Sequence, residues 1–174
     1  RELLISLMEE CQERGETDIY KDIIFRNLDK LVVRGYQHKG YAMHINSNRS
    51  FFKYSMELLE PNVRAALFSN DNPVYTKSKN ESPTLYKDGS SVKNSFVANG
   101  CRIEGVVENS ILHRGVTVEK GAVIRNSIIM DQCHIGEDVV LDHVIADKFV
   151  TFLPGKSLKG ERTYQAIVAK GTVI

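Results

Sequence analysis

The chain has 174 residues, of which 23 are Lys or Arg and 22 are Asp or Glu, giving a formal charge of +1. That balance, with no long run of one sign, argues against a nucleic-acid or membrane surface, and no apolar stretch approaches the roughly 20 residues of a membrane-spanning helix. The start, Arg1-Glu2-Leu3-Leu4-Ile5, also lacks a basic region followed by an apolar core and cleavage site, so a cytoplasmic location is the default expectation.

Residues 2–14 carry Leu3, Leu4, Leu7, Met8 and Cys11 at helical spacing, and Gly15 stops the run. The chain thus opens inside a helical pattern and has no initiator Met, which predicts a fragment of a longer protein. Asp18 is placed to cap a second helix containing Ile19, Ile23, Ile24, Phe25 and Leu28. Leu31 to Ile45 reads as two extended segments turning near Lys39-Gly40. Ser47 or Asn48 then caps a helix with Phe51, Phe52, Met56, Leu58 and Leu59, and Pro61 starts a short helical piece ending near Phe68. From 69 to 91 the composition shifts to Ser, Asn, Pro, Lys and Asp, predicting a linker that is partly ordered at Pro73-Val74-Tyr75-Thr76.

The segment 92–174 is repetitive. Asn94-Ser95-Phe96-Val97, Asn109-Ser110-Ile111-Leu112, Asn126-Ser127-Ile128-Ile129 and Asp142-His143-Val144-Ile145 form a series whose starts are 15, 17 and 16 residues apart. A finer aliphatic period, mostly six, runs through Val97, Ile103, Leu112, Val118, Ile124, Ile129, Ile135 and Leu141, with Gly100, Gly115, Gly121 and Gly136 near the turns. This is the hexapeptide pattern of a parallel β-helix, each hexapeptide making one face of a triangular prism with its aliphatic residue inside. Cys101, Val107, Val116, Ala122, Cys133 and Val139 are expected to fill the remaining interior. Cys101, Cys133 and Cys11 have no metal-ligand spacing and read as reduced thiols. Strands of an antiparallel sandwich would instead alternate with period two and need hairpin turns. The last stretch, Tyr164 to Ile174, is apolar enough to return as a strand over one end.

Two linked places carry a family resemblance. Gly40-Tyr41-Ala42-Met43-His44-Ile45-Asn46-Ser47, followed by Ser50-Phe51-Phe52-Lys53-Tyr54-Ser55-Met56-Glu57-Leu58-Leu59, resembles the end of the nucleotidyltransferase domain in glucose-1-phosphate adenylyltransferases, with the linker and Asn-Ser coils following in the family's order. The resemblance implies an α+β tail of a nucleotidyltransferase domain over 1–68, a linker over 69–91 and an all-β left-handed parallel β-helix of hexapeptide repeats over 92–174. It also implies a role in making ADP-glucose from ATP and glucose 1-phosphate for glycogen synthesis.

The departures from the family pattern narrow that reading. His44 stands where catalytic members carry an Asp that helps bind magnesium, and Asn46-Ser47 replaces Gly-Thr. A neutral imidazole is a poor ligand for a hard cation, and no Gly-rich phosphate loop occurs in the chain. The chain therefore resembles the non-catalytic, GlgD-type subunit of the family: no catalytic residue, no metal and no cofactor of its own, with Mg2+ expected in the catalytic partner. Its expected partner is a catalytic glucose-1-phosphate adenylyltransferase subunit, met in a hetero- or homo-oligomer through the β-helix. A sugar-phosphate effector is expected to meet Arg102, Arg114, Arg125 or Lys120, if these are more than a solvated face; Lys159, Arg162 and Lys170 have the same two readings. Tyr36, Tyr41, Phe51, Phe52 and Tyr54 read as an aromatic packing cluster near His44. A catalytically competent adenylyltransferase subunit is one alternative. The alternative from another class is a hexapeptide acyltransferase, for which His113, His134 or His143 would be the general base. Those histidines, however, occupy different phases of the repeat.

Overall fold

A computed structural model describes residues 1–68, 73–75 and 79–174. The chain divides into two compact units, Arg1–Lys39 and Gly40–Ile174.

In the first unit, α1 spans Glu2–Glu13 as the spacing predicts, but of its apolar residues only Cys11 is buried. Asp18 caps the next element, its carboxylate accepting from the backbone N–H of Tyr20 at 2.9 Å and Lys21 at 3.1 Å. That element is not the expected α-helix but a wider π turn, Ile19–Ile24, running into a single 3-10 turn, Phe25–Asn27. The β-branched pair Ile23-Ile24 followed by Phe25 loses side-chain freedom in a regular helix, and burial of Ile23 rather than propensity sets the local geometry. Neither extended segment expected in 31–45 forms a strand. A strand requires a paired edge, and every strand among the described residues belongs to the solenoid.

The second unit begins with α2 (Asn48–Glu57) and α3 (Pro61–Leu67). Ser47 is the N-cap of α2, in a reciprocal capping box with Ser50, and Pro61 occupies the first turn of α3, where its missing N–H costs nothing. The Pro73-Val74-Tyr75-Thr76 segment falls partly outside the described residues, at Thr76.

The rest is a parallel β-solenoid. Its first coil holds β1 (Leu85–Tyr86), β2 (Ser91–Lys93) and β3 (Phe96–Val97); its second β4 (Arg102–Ile103), β5 (Val106–Glu108) and β6 (Ile111–Leu112). The third holds β7 (Thr117–Val118), β8 (Val123–Arg125) and β9 (Ile128–Ile129); the fourth β10 (His134–Ile135), β11 (Val140–Asp142) and β12 (Val144–Ala146). The last holds β13 (Thr151–Phe152), β14 (Ser157–Lys159) and β15 (Ala166–Val168). Like strands stack into three five-stranded parallel sheets, in the orders β1-β4-β7-β10-β13, β2-β5-β8-β11-β14 and β3-β6-β9-β12-β15. These are called the first, second and third faces.

The solenoid starts at Leu85, ahead of the expected residue 92. Leu85 and Tyr86 are half-exposed on the terminal coil, so the inward aliphatic signal that marks later coils is absent there. At the other end the stretch Tyr164 to Ile174 does not turn back over the stack but continues the winding: β15 extends the third face and Val173 bridges in parallel to Thr151 of the first.

The predicted interior columns are found. Ile103, Ile124, Ile129, Ile135 and Leu141 have 0% exposure, Leu112 and Val118 have 1%, and Val97 packs half-buried against the same cluster at the open first coil. Cys101, Val107, Val116, Ala122, Cys133 and Val139 fill the gaps as expected. All three thiols are free and buried; loss of solvation pushes the Cys133 thiol up to about 11 and raises that of Cys101. A thiol so held is a small hydrophobe rather than a nucleophile.

The Asn-Ser repeat has a physical reason. Asn94, Asn109 and Asn126 take the left-handed corner conformation, with φ of 43°, 46° and 47°, which Asn tolerates better than most residues. The serine that follows bridges coils. Ser110 Oγ donates to Glu108 O at 2.7 Å and accepts from Ser127 N at 3.1 Å; Ser127 Oγ in turn accepts from Val144 N at 3.0 Å. Hydroxyls thus replace backbone partners at the corner where the strand ladder is interrupted.

The fourth repeat sits one residue later than the residue types suggest. Ile145 pairs with Ile128 and Ala146 with Ile129, so His143, with φ 52°, takes the corner that Asn126 takes one coil earlier. The slip exchanges inward and outward positions. Ala146 enters the core and Ile145 faces out. Asp142 mimics the corner Asn only by accepting from Asn126 Nδ2 at 2.9 Å.

Candidate functional site

The third face explains why the coils carry two adjacent apolar residues. Phe96, Ile111, Ile128, Ile145 and Ile167 form its outward column. A column with apolar residues on both sides of the sheet needs cover, and α2 supplies it. Phe52 packs on Ile128 and Ile145, with Phe51, Met56 and Met130 around them. The Phe52 ring also lies 6.3 Å from that of His143, whose Nδ1 is 2.8 Å from Asp142 Oδ1. The Arg64 guanidinium sits 5.1 Å from the Phe96 ring centroid. This seam between α2 and the solenoid was not foreseen from the residues. The doublets Ile111-Leu112 and Ile128-Ile129, apolar on both sides of one strand, were the available signal.

Beside the seam lies a cleft of about 480 Å³, lined by Arg49, Phe52, Lys53, Met56, Glu57 and Glu60 from the α2 side and by Arg162, Thr163 and Gln165 from the last coil. Its polar lining is mixed. Arg49, Lys53 and Arg162 supply cationic donors, while Glu57 is already engaged by the Tyr41 hydroxyl and lies 3.8 Å from Lys53. Accepting at Glu57 makes the Tyr41 phenol harder to ionise, pushing it up to about 12. Gln165 is buried and donates to Arg162 O at 2.9 Å, which holds that loop in place.

His44, Asn46 and Ser47 are all exposed, immediately before α2. Ser50 Oγ receives the N–H groups of Asn46 and Ser47, each at 3.0 Å, and Ser47 Oγ accepts from Ser50 N at 3.2 Å. These groups are engaged in starting the helix. The local donor set of imidazole, carboxamide and capped hydroxyls contains no carboxylate and does not suit Mg2+. Among the described residues, no group of three or more His, Cys, Asp or Glu is arranged to hold a metal ion.

Other predicted groups are dispersed. Arg102 lies on the first face, Arg125 on the second, and Lys120 and Arg114 at separate corners lining different clefts. No shared anion site unites them. Lys159 ends β14, Arg162 lines the cleft, and Lys170 lies 5.7 Å from the Phe149 ring. Tyr36 is 91% exposed, so it does not belong to a packed aromatic cluster. Of the three solenoid histidines, His113 is half-buried after β6, His134 is exposed on β10 and His143 turns the corner before β12. The structure gives them no common site.

Three stacked parallel sheets with hexapeptide spacing and left-handed Asn corners define a hexapeptide-repeat solenoid protein. Residues 83–166 match the family described as GlmU-like, C-terminal hexapeptide. Over 171 residues the chain is 40% identical to the glycogen biosynthesis protein GlgD of Bacillus subtilis, covering 98% of this chain and 50% of the relative. A GlgD of Geobacillus stearothermophilus is 47% identical over 119 residues, 68% of this chain and 35% of the relative. A glucose-1-phosphate adenylyltransferase of Bacillus cytotoxicus is 30% identical over 157 residues, 88% of this chain and 41% of the relative. Along nearly its whole length the chain is similar to GlgD proteins and glucose-1-phosphate adenylyltransferases, and it spans half or less of the length of these curated relatives.

Proposed function

We propose that this chain is the C-terminal portion of a GlgD-type regulatory or assembly subunit of glucose-1-phosphate adenylyltransferase, acting in the cytoplasm in glycogen biosynthesis. In this reading residues 1–68 are the tail of a nucleotidyltransferase-like α+β domain and the solenoid winds left-handed, as in hexapeptide-repeat relatives. The observation that carries the reading is the gradient of similarity: 40% and 47% identity to two GlgD proteins against 30% to an adenylyltransferase. The imidazole of His44 in the place of a metal-binding carboxylate agrees with it, since the positive charge needed beside a triphosphate would have to come from Mg2+ held by the catalytic partner. The solenoid supplies a stiff body for subunit contact, and the Arg49, Lys53 and Arg162 cleft is where a sugar-phosphate effector fits best.

The test is co-expression of the full-length protein with a catalytic subunit. Co-purification, with a changed rate or effector response of ADP-glucose formation, is expected. Failure to associate, or full adenylyltransferase activity of the protein by itself, would overturn the reading. A gain of activity on His44→Asp in the full-length protein would identify that position as a lost metal site.

A further inference from the structure

Three corners between the second and third faces carry the same dipeptide in the same shape. Asn94-Ser95, Asn109-Ser110 and Asn126-Ser127 each hold the Asn in the left-handed conformation, at φ 43°, 46° and 47°. They differ in what holds the backbone N–H of the serine. Ser110 N donates to Ser95 Oγ and Ser127 N to Ser110 Oγ, each at 3.1 Å. Among the described residues nothing accepts from the Ser95 N–H, since β3 is the first strand of its face and has no coil before it. The Asn94 carboxamide ties this corner to the next, Nδ2 donating to Asn109 Oδ1 at 2.8 Å.

An Asn side chain and the backbone nitrogen of the next residue are latent reactants. Once its proton has gone to water, the nitrogen attacks the Asn Cγ; the bond from Cγ to the amide nitrogen breaks and ammonia leaves, giving a five-membered succinimide. One water molecule then opens the ring. Entry at Cγ leaves Asp, and entry at the main-chain carbonyl leaves isoaspartate, whose main chain is longer by a methylene. The sum is one water consumed and one ammonia released, with no oxidant or reductant. A serine N–H that donates to a hydroxyl on the coil before it keeps its proton and is held away from the neighbouring carboxamide, so the corner ladder opposes the reaction at Asn109 and Asn126. The Ser95 nitrogen lacks that restraint, and it lies on a terminal coil, where local opening is easiest.

We propose that Asn94 is a site of spontaneous deamidation in the folded protein, and that the reaction spreads along the corner in coil order. Isoaspartate at 94 displaces Ser95, whose Oγ is the acceptor of the Ser110 N–H. That N–H is then released and Asn109 becomes the next site, while Ser110 still guards Asn126. A carboxylate at 94 also puts an acceptor where Asn109 Oδ1 had a donor, which unties the two corners. Exposure does not account for the order, since Asn94 and Asn109 are both open to water. Nor does the dipeptide, which is Asn-Ser in all three. Asn99-Gly100, sterically the least hindered pair for this reaction, is restrained by the same means, Gly100 N donating to Ser82 O at 2.7 Å. The serine ladder is thus a chemical guard as well as a structural one, and the stack ages from its first coil. This chemistry is independent of the subunit role proposed above.

Full-length protein incubated at mildly alkaline pH, sampled at intervals and digested, gives the rate at each site by peptide mass spectrometry, with isoaspartyl methyltransferase marking the longer backbone. While the protein is folded, Asn94 is expected to lose ammonia about tenfold or more faster than Asn109 and Asn126. In denaturant the three sites should converge to within about threefold, because their dipeptides are the same. Ser95→Ala strips the acceptor from the Ser110 N–H and should quicken Asn109 about fivefold, whereas Ser95→Thr keeps a hydroxyl there and should leave Asn109 within about twofold of wild type. Asn126, whose guard is Ser110, should stay slow in both variants, which separates the loss of one bond from general unfolding. Equal rates at the three sites in the folded protein, a difference that persists in denaturant, or an Asn109 no faster than Asn126 in Ser95→Ala overturns the proposal.

Discussion

The solenoid and the first unit use apolar residues in opposite ways. In the solenoid every aliphatic column from the second coil onward is closed by its own neighbours above and below, so local sequence suffices to bury it. In the first unit the stripe of α1 keeps the right spacing, yet Leu3, Leu4, Ile5 and Met8 remain 43–61% exposed. Periodicity therefore identifies the side of an element meant to be covered, and only a repeat also supplies the cover. The third face lies between these cases: its outward Ile128 and Ile145 are covered by a helix that lies distant in the chain, through Phe52, while Ile167 on the last coil stays exposed.

Substitutions can break this contrast at different depths. Phe152, fully buried in the last coil, should show the largest effect: Phe152→Ala is expected to cost about 3–5 kcal/mol by denaturant unfolding. A loss near the surface value would mean that the last coil is not part of the cooperative core. Next is Gly105→Ala, because a Cβ there would stand 2.4 Å from the Ala122 carbonyl oxygen of the next coil, costing about 2–3 kcal/mol in overpacking. Ser127→Ala leaves the Val144 N–H without its acceptor and should cost about 1–2 kcal/mol, whereas Ser95→Ala on the open first coil should cost less. Equal losses at the two serines would show that the corner ladder is not what stabilises the stack. Leu4→Ala in the first unit should fall within about 0.5 kcal/mol of wild type, and a core-sized loss there would mean that α1 is buried in solution.

The smallest effect is a pH dependence. Burial holds the His113 imidazole below its usual range, with Asp131 pulling the other way and Lys148 and Arg114 assisting. As pH falls below about 6.5 the unfolded chain takes up that proton first, so stability is complete above this range and declines as pH drops through the folded-state value. Thermal melts of His113→Gln should be flatter across that window than those of wild type. Parallel curves would assign the pH dependence elsewhere.

Much of the solenoid was legible because the inward position is nearly all that a hexapeptide specifies. Ile103, Ile124 and Leu141 could be placed without any knowledge of their neighbours. The capping of the turn after α1 by Asp18 and of α2 by Ser47 was equally local. The cleft formed by Arg49, Lys53 and Arg162 was not legible, since its residues come from helix and last coil, more than a hundred positions apart in sequence. The outward column Lys93, Glu108, Arg125, Asp142 and Lys159 along the second face was not legible for a related reason. Its members lie 15 to 17 residues apart and alternate in sign, so they cancel in any count of composition.

Residue order alone determined that aliphatic side chains would recur on one side of a winding chain and that a capped helix would precede it. Those features depend on contacts within one turn or between adjacent coils. Tertiary structure decided the register of the fourth coil, the docking of Phe52 on Ile128 and Ile145, and the lining up of charges on the second face. Asp142-His143 resembles Asn-Ser in type, and only hydrogen bonding to the coil below, which places Ala146 inside and Ile145 outside, distinguishes the two registers.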